Sequence, residues 1–205
     1  MAISYPRTFP SHTGVAQIEM RASNAVAYSR SPFTLAGQAH AYSGQAWEAD
    51  VSLPPMKRSD ADQWVAWLIS MRGQFGTFLL GDPSSPIPRG LASDFLGTPI
   101  ITNQSGGTIA VTGASSNKTN WLLAGDYIQI GSENDATLHK VLENASTNSS
   151  GQVSLEVWPH VRGTRTASVT ANNAVGKFRL SDNQQSWSVN QASIYGISFS
   201  AMEAI

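Results

Sequence analysis

Residues 59–82, SDADQWVAWLISMRGQFGTFLLGD, decide how the rest of the chain is read. Ser59 stands where an N-cap belongs, with Asp60 and Asp62 in the first turn. The acid three positions after the serine approximates a capping box. Trp64, Trp67, Leu68 and Met71 follow the i, i+3, i+4, i+7 spacing of one helical face, and Ala61 and Val65 widen the stripe. Gly73 occupies the place of a C′ glycine. Residues 75–80 are a short apolar run of strand type, ended by Gly81-Asp82-Pro83. The segment is therefore expected to be a capped helix, a glycine stop and a buried strand. Trp64, Trp67, Leu68 and Met71 form the helix's core face, against which a sheet packs.

Outward from that segment almost everything is strand-like. Residues 1–14 hold Pro6 and Pro10 among polar residues and read as an extended arm. Residues 15–27 alternate imperfectly, Asn24 and residues 29–32 suggest turns, and residues 33–35 suggest a second short strand. Residues 45–53 alternate more clearly, with Trp47, Ala49, Val51 and Leu53 on one side, and Pro54-Pro55 ends them. Downstream, DPSSPIPRG (residues 82–90) carries Pro83, Pro86 and Pro88 and cannot continue a sheet, so a domain boundary is placed there. Residues 100–102 and 108–112 are expected to form a hairpin around Ser105-Gly106-Gly107. Further short strands follow at 127–130, 137–143, 153–158 and 175–180, with turn signals between them. Residues 187–205 read as one long strand, with Tyr195, Ile197, Phe199 and Ala201 on one side, free to return to the first sheet. The expected fold is mainly β (α+β). A discontinuous β-sandwich domain, residues 1–83 and 183–205, carries one packed helix. A small antiparallel β-barrel, residues 84–182, is inserted in it.

Composition restricts the chemistry. Charged residues are 13% of the 205, against roughly 25% in an ordinary globular protein. The formal net charge is −1 and no basic stripe is visible, which argues against a protein that grips nucleic acid through phosphates. With no cysteine, disulfides, thiolate chemistry and cysteine metal sites are excluded. No run approaches the ~20 apolar residues of a membrane span. The first residues lack the charged and apolar regions of a signal peptide, so a soluble protein made in the cytosol is expected.

Candidate sites are few. His12, His40, His139 and His160 are far apart and form no HxH or HExxH pattern; His139 and His160 could converge with Asp126 or Asp135, but read more simply as strand or loop histidines. Asp60 and Asp62 are accounted for by helix capping. The N-x-[ST] matches at Asn103, Asn117, Asn144 and Asn148 read as products of a polar composition. Trp121, Trp158 and Trp187 could offer a sugar-stacking platform, although strand-end tryptophans more often close a core. Arg162 and Arg165 make a small cationic loop. No nucleophile, paired acid or phosphate loop emerges, so no enzyme, cofactor or metal is expected.

The order of elements is more informative than any motif. The strands of residues 15–53, the helix at 59–72, FGTFLLGDP at 75–83, a large insertion, and SIYGISFSAMEAI at 193–205 resemble the distal tail proteins of siphophages. GTFLLGDPSSPIPRG, WLLAGDYIQIG, LHKVLENA, VSLEVWPHVR and GKFRLSDNQQSW are similar to phage minor-tail sequences of this kind. The resemblance implies a structural component of the virion's tail tip or baseplate, forming a hexameric ring. Its implied partners are copies of itself, the tail tube protein, the tail hub protein and the tape-measure protein, with DNA only in transit through the lumen and no membrane insertion. It also implies a galectin-like or OB-like extra module, which usually follows the ring-forming belt and here is inserted within it. A carbohydrate-binding or adhesin module of a tail, using Trp121 or Trp158, is the alternative expectation.

Overall fold

A computed structural model describes residues 3–10, 14–93 and 98–205. The chain runs β1 (Gln17–Arg30), β2 (Gly37–Ser52), β3 (Met56–Lys57), α1 (Arg58–Ser70), β4 (Thr77–Leu80), β5 (Ile100–Thr112) and β6 (Tyr127–Ile130). It continues with β7 (Thr137–Val141), β8 (Val153–Thr170), β9 (Gly176–Leu180), β10 (Trp187–Val189) and β11 (Ile194–Glu203). The fold is mainly β, with two antiparallel sheets and one α-helix among the described residues.

The larger sheet has the order β1-β2-β11-β9-β4, with β10 and β3 pairing the first half of β11 on either side. Its inner face is built by strict alternation: Trp47, Ala49, Val51 and Leu53 from β2 and its end, and Ile197, Phe199 and Ala201 from β11, are buried. The helix lies across this face. Trp64, Trp67, Leu68 and Met71 are all buried, and Trp67 meets Phe9, Trp64, Phe78 and Phe199 at ring-centroid distances of 5.1–5.7 Å. The residues before β1 cover an edge that would otherwise be open. Arg7 pairs with β4, its N–H donating to the Thr77 carbonyl (2.9 Å) and its carbonyl accepting from Leu79 (3.0 Å). Thr8 accepts from Trp67 Nε1 at 2.8 Å.

Both ends of the helix differ by a residue or more from the sequence expectation. Lys57, still paired with Ile194 across β3 and β11, is the N-cap, and it makes no side-chain cap bond. The chain leaves a strand directly into the helix, so Ser59 falls inside it, and Asp62 pairs with Arg58 at 3.2 Å instead of closing a capping box. At the other end the left-handed position falls on Arg72 (φ 54°), followed by Gly73 (φ 65°). Gly73 is required there: a Cβ would lie 2.6 Å from Asn183 Oδ1.

The second sheet has the order β5-β8-β6-β7, with β8 also pairing β7. No closed barrel of separate strands is found among the described residues. Four strands are too few, and the sheet curls because β8 bends, its first half pairing β7 (Trp158↔Lys140) and its last residues pairing β6 (Val169↔Ile130). The hairpin expected around Ser105-Gly106-Gly107 is a single bulged strand, β5, paired throughout with β8. Gly106 (φ 89°) supplies a register shift and not a reversal. Both faces of the sheet are covered at β6 and β7, whereas one face of β5 and β8 alternates out to solvent. Ile128, Ile130, Val141, Leu155 and Val157 face a second core with Ile101, Ile109, Trp121 and Leu122, while Tyr127 and Leu138 reach into the core of the larger sheet.

Two further strands are placed differently from expectation. β9, assigned from sequence to the insertion, pairs β11 and β4 in the larger sheet. Its Phe178 and Leu180 fill that sheet's core. The last segment is a hairpin, not one strand. Asn190 Oδ1 accepts from the N–H groups of Ala192 (3.0 Å) and Ile194 (2.9 Å), turning β10 back onto β11.

Candidate functional site

The feature the sequence did not foretell is an arm. β1 and β2 pair from Gln17↔Ser52 to Asn24↔Gln45, shift register, and pair again from Val26↔Ala41 to Arg30↔Gly37. Every residue from 24 to 31 in the first strand and its exit, apart from half-buried Ser31, and every residue from 33 to 44, is exposed. Both faces of the distal hairpin therefore lie in solvent, and it projects roughly 20 Å at ~3.3 Å per residue. Its turn is closed by Ser31, whose N–H donates to the Ala36 carbonyl and whose carbonyl accepts from Leu35. The turn expected at Asn24 is a paired rung next to a bulge, the turn expected at residues 29–32 leads into the hairpin turn at Ser31, and the strand expected at residues 33–35 is the tip.

The arm's surface is unusual for exposed strands. Across residues 22–45, Ala, Ser and Gly supply half the positions, and Arg30 is the one formal charge. Val26, Tyr28, Phe33, Leu35 and Tyr42 are all exposed, Phe33 to 93%. Tyr28 lies over Gly37, where a Cβ would sit 2.5 Å from the phenol oxygen, so glycine is what lets the ring settle on the partner strand. His40 and Tyr42 stack edge to face at 4.7 Å on the opposite side. A lone two-stranded hairpin is marginal in water, and apolar strands with an open edge invite pairing. Lysines or inward charges that would blunt such an edge are missing from this one.

The residues singled out from sequence lie elsewhere. Trp121 is 1% exposed inside the second core, so it offers no face to a sugar. Trp158 is half-buried, set edge to face on Trp47 (4.5 Å, 89°), with its Nε1 donating to Asn24 Oδ1 at 2.8 Å. Its ring is committed to the base of the arm; Trp187, 40% exposed, stands apart on β10 of the larger sheet, and with Trp121 buried the three tryptophans form no shared platform. Arg162 is no solvated loop cation: it makes a two-pronged pair with Glu203, at 2.7 and 3.0 Å. Arg165 donates to Thr137 Oγ1 and the Asp135 carbonyl.

The histidines do not assemble a site. His139 is buried; its Nδ1 faces the Pro159 carbonyl at 2.6 Å, which only accepts, so Nδ1 carries the proton and Nε2 faces Thr137 Oγ1. Burial is the main cause that lowers its pKa from 6.5 to about 4, against smaller opposing effects of the Pro159 carbonyl and of Glu203. It is a neutral core group. His160 is exposed and packs over Gly107, His40 is on the arm, and His12 lies outside the described residues. Asp126 is buried as a loop organiser, accepting from the N–H groups of Arg89, Gly90 and Leu123. The asparagines of the N-x-[ST] matches serve the backbone: Asn103, within the bulged β5, and Asn117 have positive φ, Asn144 Oδ1 accepts from the Ala124 N–H, and Asn148 Oδ1 accepts from Ser150 and Gln152. Among the described residues no group of three or more His, Cys, Asp or Glu side chains could hold a metal. No helix of the described residues is long and apolar enough to cross a membrane.

Neither a protein-family model nor a curated protein matches the chain.

Proposed function

We propose that this chain is a structural subunit of a siphophage tail tip, without enzymatic turnover. Copies join head to tail into a hexameric ring between the tail tube and the hub that carries the receptor-binding apparatus. The observation that carries the reading is the arm: a long hairpin with one charge, apolar on both faces and at its tip, standing clear of the body. Such an element finds its stability on a neighbour, and a repeated heterologous contact closes into a ring when the rotation allows. The order of elements and the phrases around GTFLLGDPSSPIPRG supply the kind of assembly. A net charge of −1 without a basic cluster suits a lumen through which DNA slides.

The test replaces residues 25–44 by Asn-Gly, a two-residue turn that closes the pair Asn24↔Gln45. The intact chain is expected to form rings by light scattering and negative-stain microscopy, alone or on purified tail tubes. The shortened chain is expected to stay folded and monomeric. An intact chain that remains strictly monomeric and never joins tail tubes refutes the proposal.

A further inference from the structure

The arm is gripped at one level, and the grip comes from the second sheet. β11 pairs β2 only from Ser198↔Ser52 to Met202↔Glu48. Beyond Glu48 the backbone ladder on that side of β2 stops. Side chains continue it. The Glu203 carboxylate, 2% exposed, accepts the Trp47 N–H at 3.1 Å, standing where a strand carbonyl would. The Arg162 guanidinium donates to the Gln45 carbonyl, standing where a strand N–H would, while holding both oxygens of Glu203. From the same strand, β8, the His160 N–H donates to Gln45 Oε1 and Trp158 Nε1 donates to Asn24 Oδ1, each at 2.8 Å.

Asn24 and Gln45 are register partners, and they are the last pair before the bulge. There, Tyr42, Ser43 and Gly44 stand opposite the single residue Ala25, so the ladder is broken on the arm side of the grip. Below this level the hairpin is part of a sheet. Above it, the pairing of two strands alone holds the arm.

We propose that β8 is a clamp that sets the direction of the arm. The bulge at Ala25 and Tyr42–Gly44 is the pivot. Trp158, His160 and Arg162, with Glu203 as the buried anchor, are the stop that selects one orientation. The position of the second sheet and the aim of the arm are then one mechanical variable, and a partner that tilts the second sheet re-aims the arm. This assigns the inserted strands a role that needs no ligand: they orient the arm.

The chain has no cysteine, so Thr34→Cys at the arm tip and Gln63→Cys on the exposed side of α1 can be spin-labelled alone and diluted with unlabelled chain. The full chain is expected to give one narrow distance distribution. Arg162→Met/Glu203→Met removes the anchor without leaving an unpaired charge, and Trp158→Phe/Asn24→Ala removes the Nε1–Oδ1 bond while keeping an aromatic ring against Trp47. Both are expected to broaden or shift the distribution. An unchanged distribution in both pairs overturns the clamp. So does a distribution in the unsubstituted chain that is already as broad as in the variants.

Discussion

Arg162→Ala and Arg162→Met/Glu203→Met should differ in a direction that simple counting of lost contacts does not give. Among the described residues Arg162 is the side chain that pairs with Glu203, whose carboxylate is 2% exposed and also accepts the Trp47 N–H. Removing the arginine alone strands that charge, which typically costs about 3–5 kcal/mol. Removing both partners and filling their volume with methionine takes away the attraction together with the desolvation penalty. Because the buried Trp47 N–H then loses its acceptor, the net change should be a loss of about 1–3 kcal/mol, still smaller than that of the single variant. The double variant, with more atoms replaced, should therefore be the more stable of the two. Urea unfolding followed by tryptophan fluorescence reads this directly, since a domain of ~5–15 kcal/mol total stability shows such a difference as a large midpoint shift. Equal losses in the single and double variants would refute the reasoning, because they would mean that Glu203 is solvated in the folded chain and that Arg162 acts only by packing.

Trp67→Ala should cost roughly 3–5 kcal/mol, since the indole is buried among four aromatic rings and its N–H satisfies Thr8; an unchanged melting temperature would place the helix face outward. His139 should give a pH dependence. The unfolded chain takes up a proton near 6.5 and the fold resists it until about 4, so stability falls as pH drops through that window, by roughly 3 kcal/mol in all. His139→Asn, which can still donate to Pro159, should flatten that slope in calorimetry, and an unaltered slope would exonerate the histidine. Phe33→Asp at the arm tip should leave stability within ~0.5 kcal/mol while abolishing the proposed ring in light scattering. A destabilised Phe33→Asp monomer would mean the tip packs within its own chain.

How much of this was legible in the sequence depends on whether a residue's neighbours are near in the chain. The helix stripe was readable because helical contacts recur every three or four residues, and the inner faces of β2 and β11 because strand alternation needs no partner to be seen. The ends of α1 were misplaced because Lys57 is held by Ile194, a contact across more than a hundred residues. The sheet that β9 joins is hidden from its sequence for a similar reason. Its pattern of Phe178 and Leu180 reports that one face is buried and is silent on which sheet buries it.

The arm escaped because its signal is an absence. Strand prediction looks for an apolar face, and residues 25–44 have none that is buried. What marked them was the missing charge on residues that turned out to be exposed, and exposure is not written in local sequence. The tryptophans erred in the opposite direction. A sugar platform and a clamp both want an indole at a strand position with a free N–H, so Trp158 read alone fits either. Only its neighbours decide: Trp47 against the ring and Asn24 on the nitrogen use both functions of the side chain at once. An aromatic residue near a strand end in such a chain is thus better weighed by what else must be held at that level of the sheet than by the ligand it could stack on. Here the level is the last rung before a bulge, where an otherwise unsupported hairpin has to be aimed.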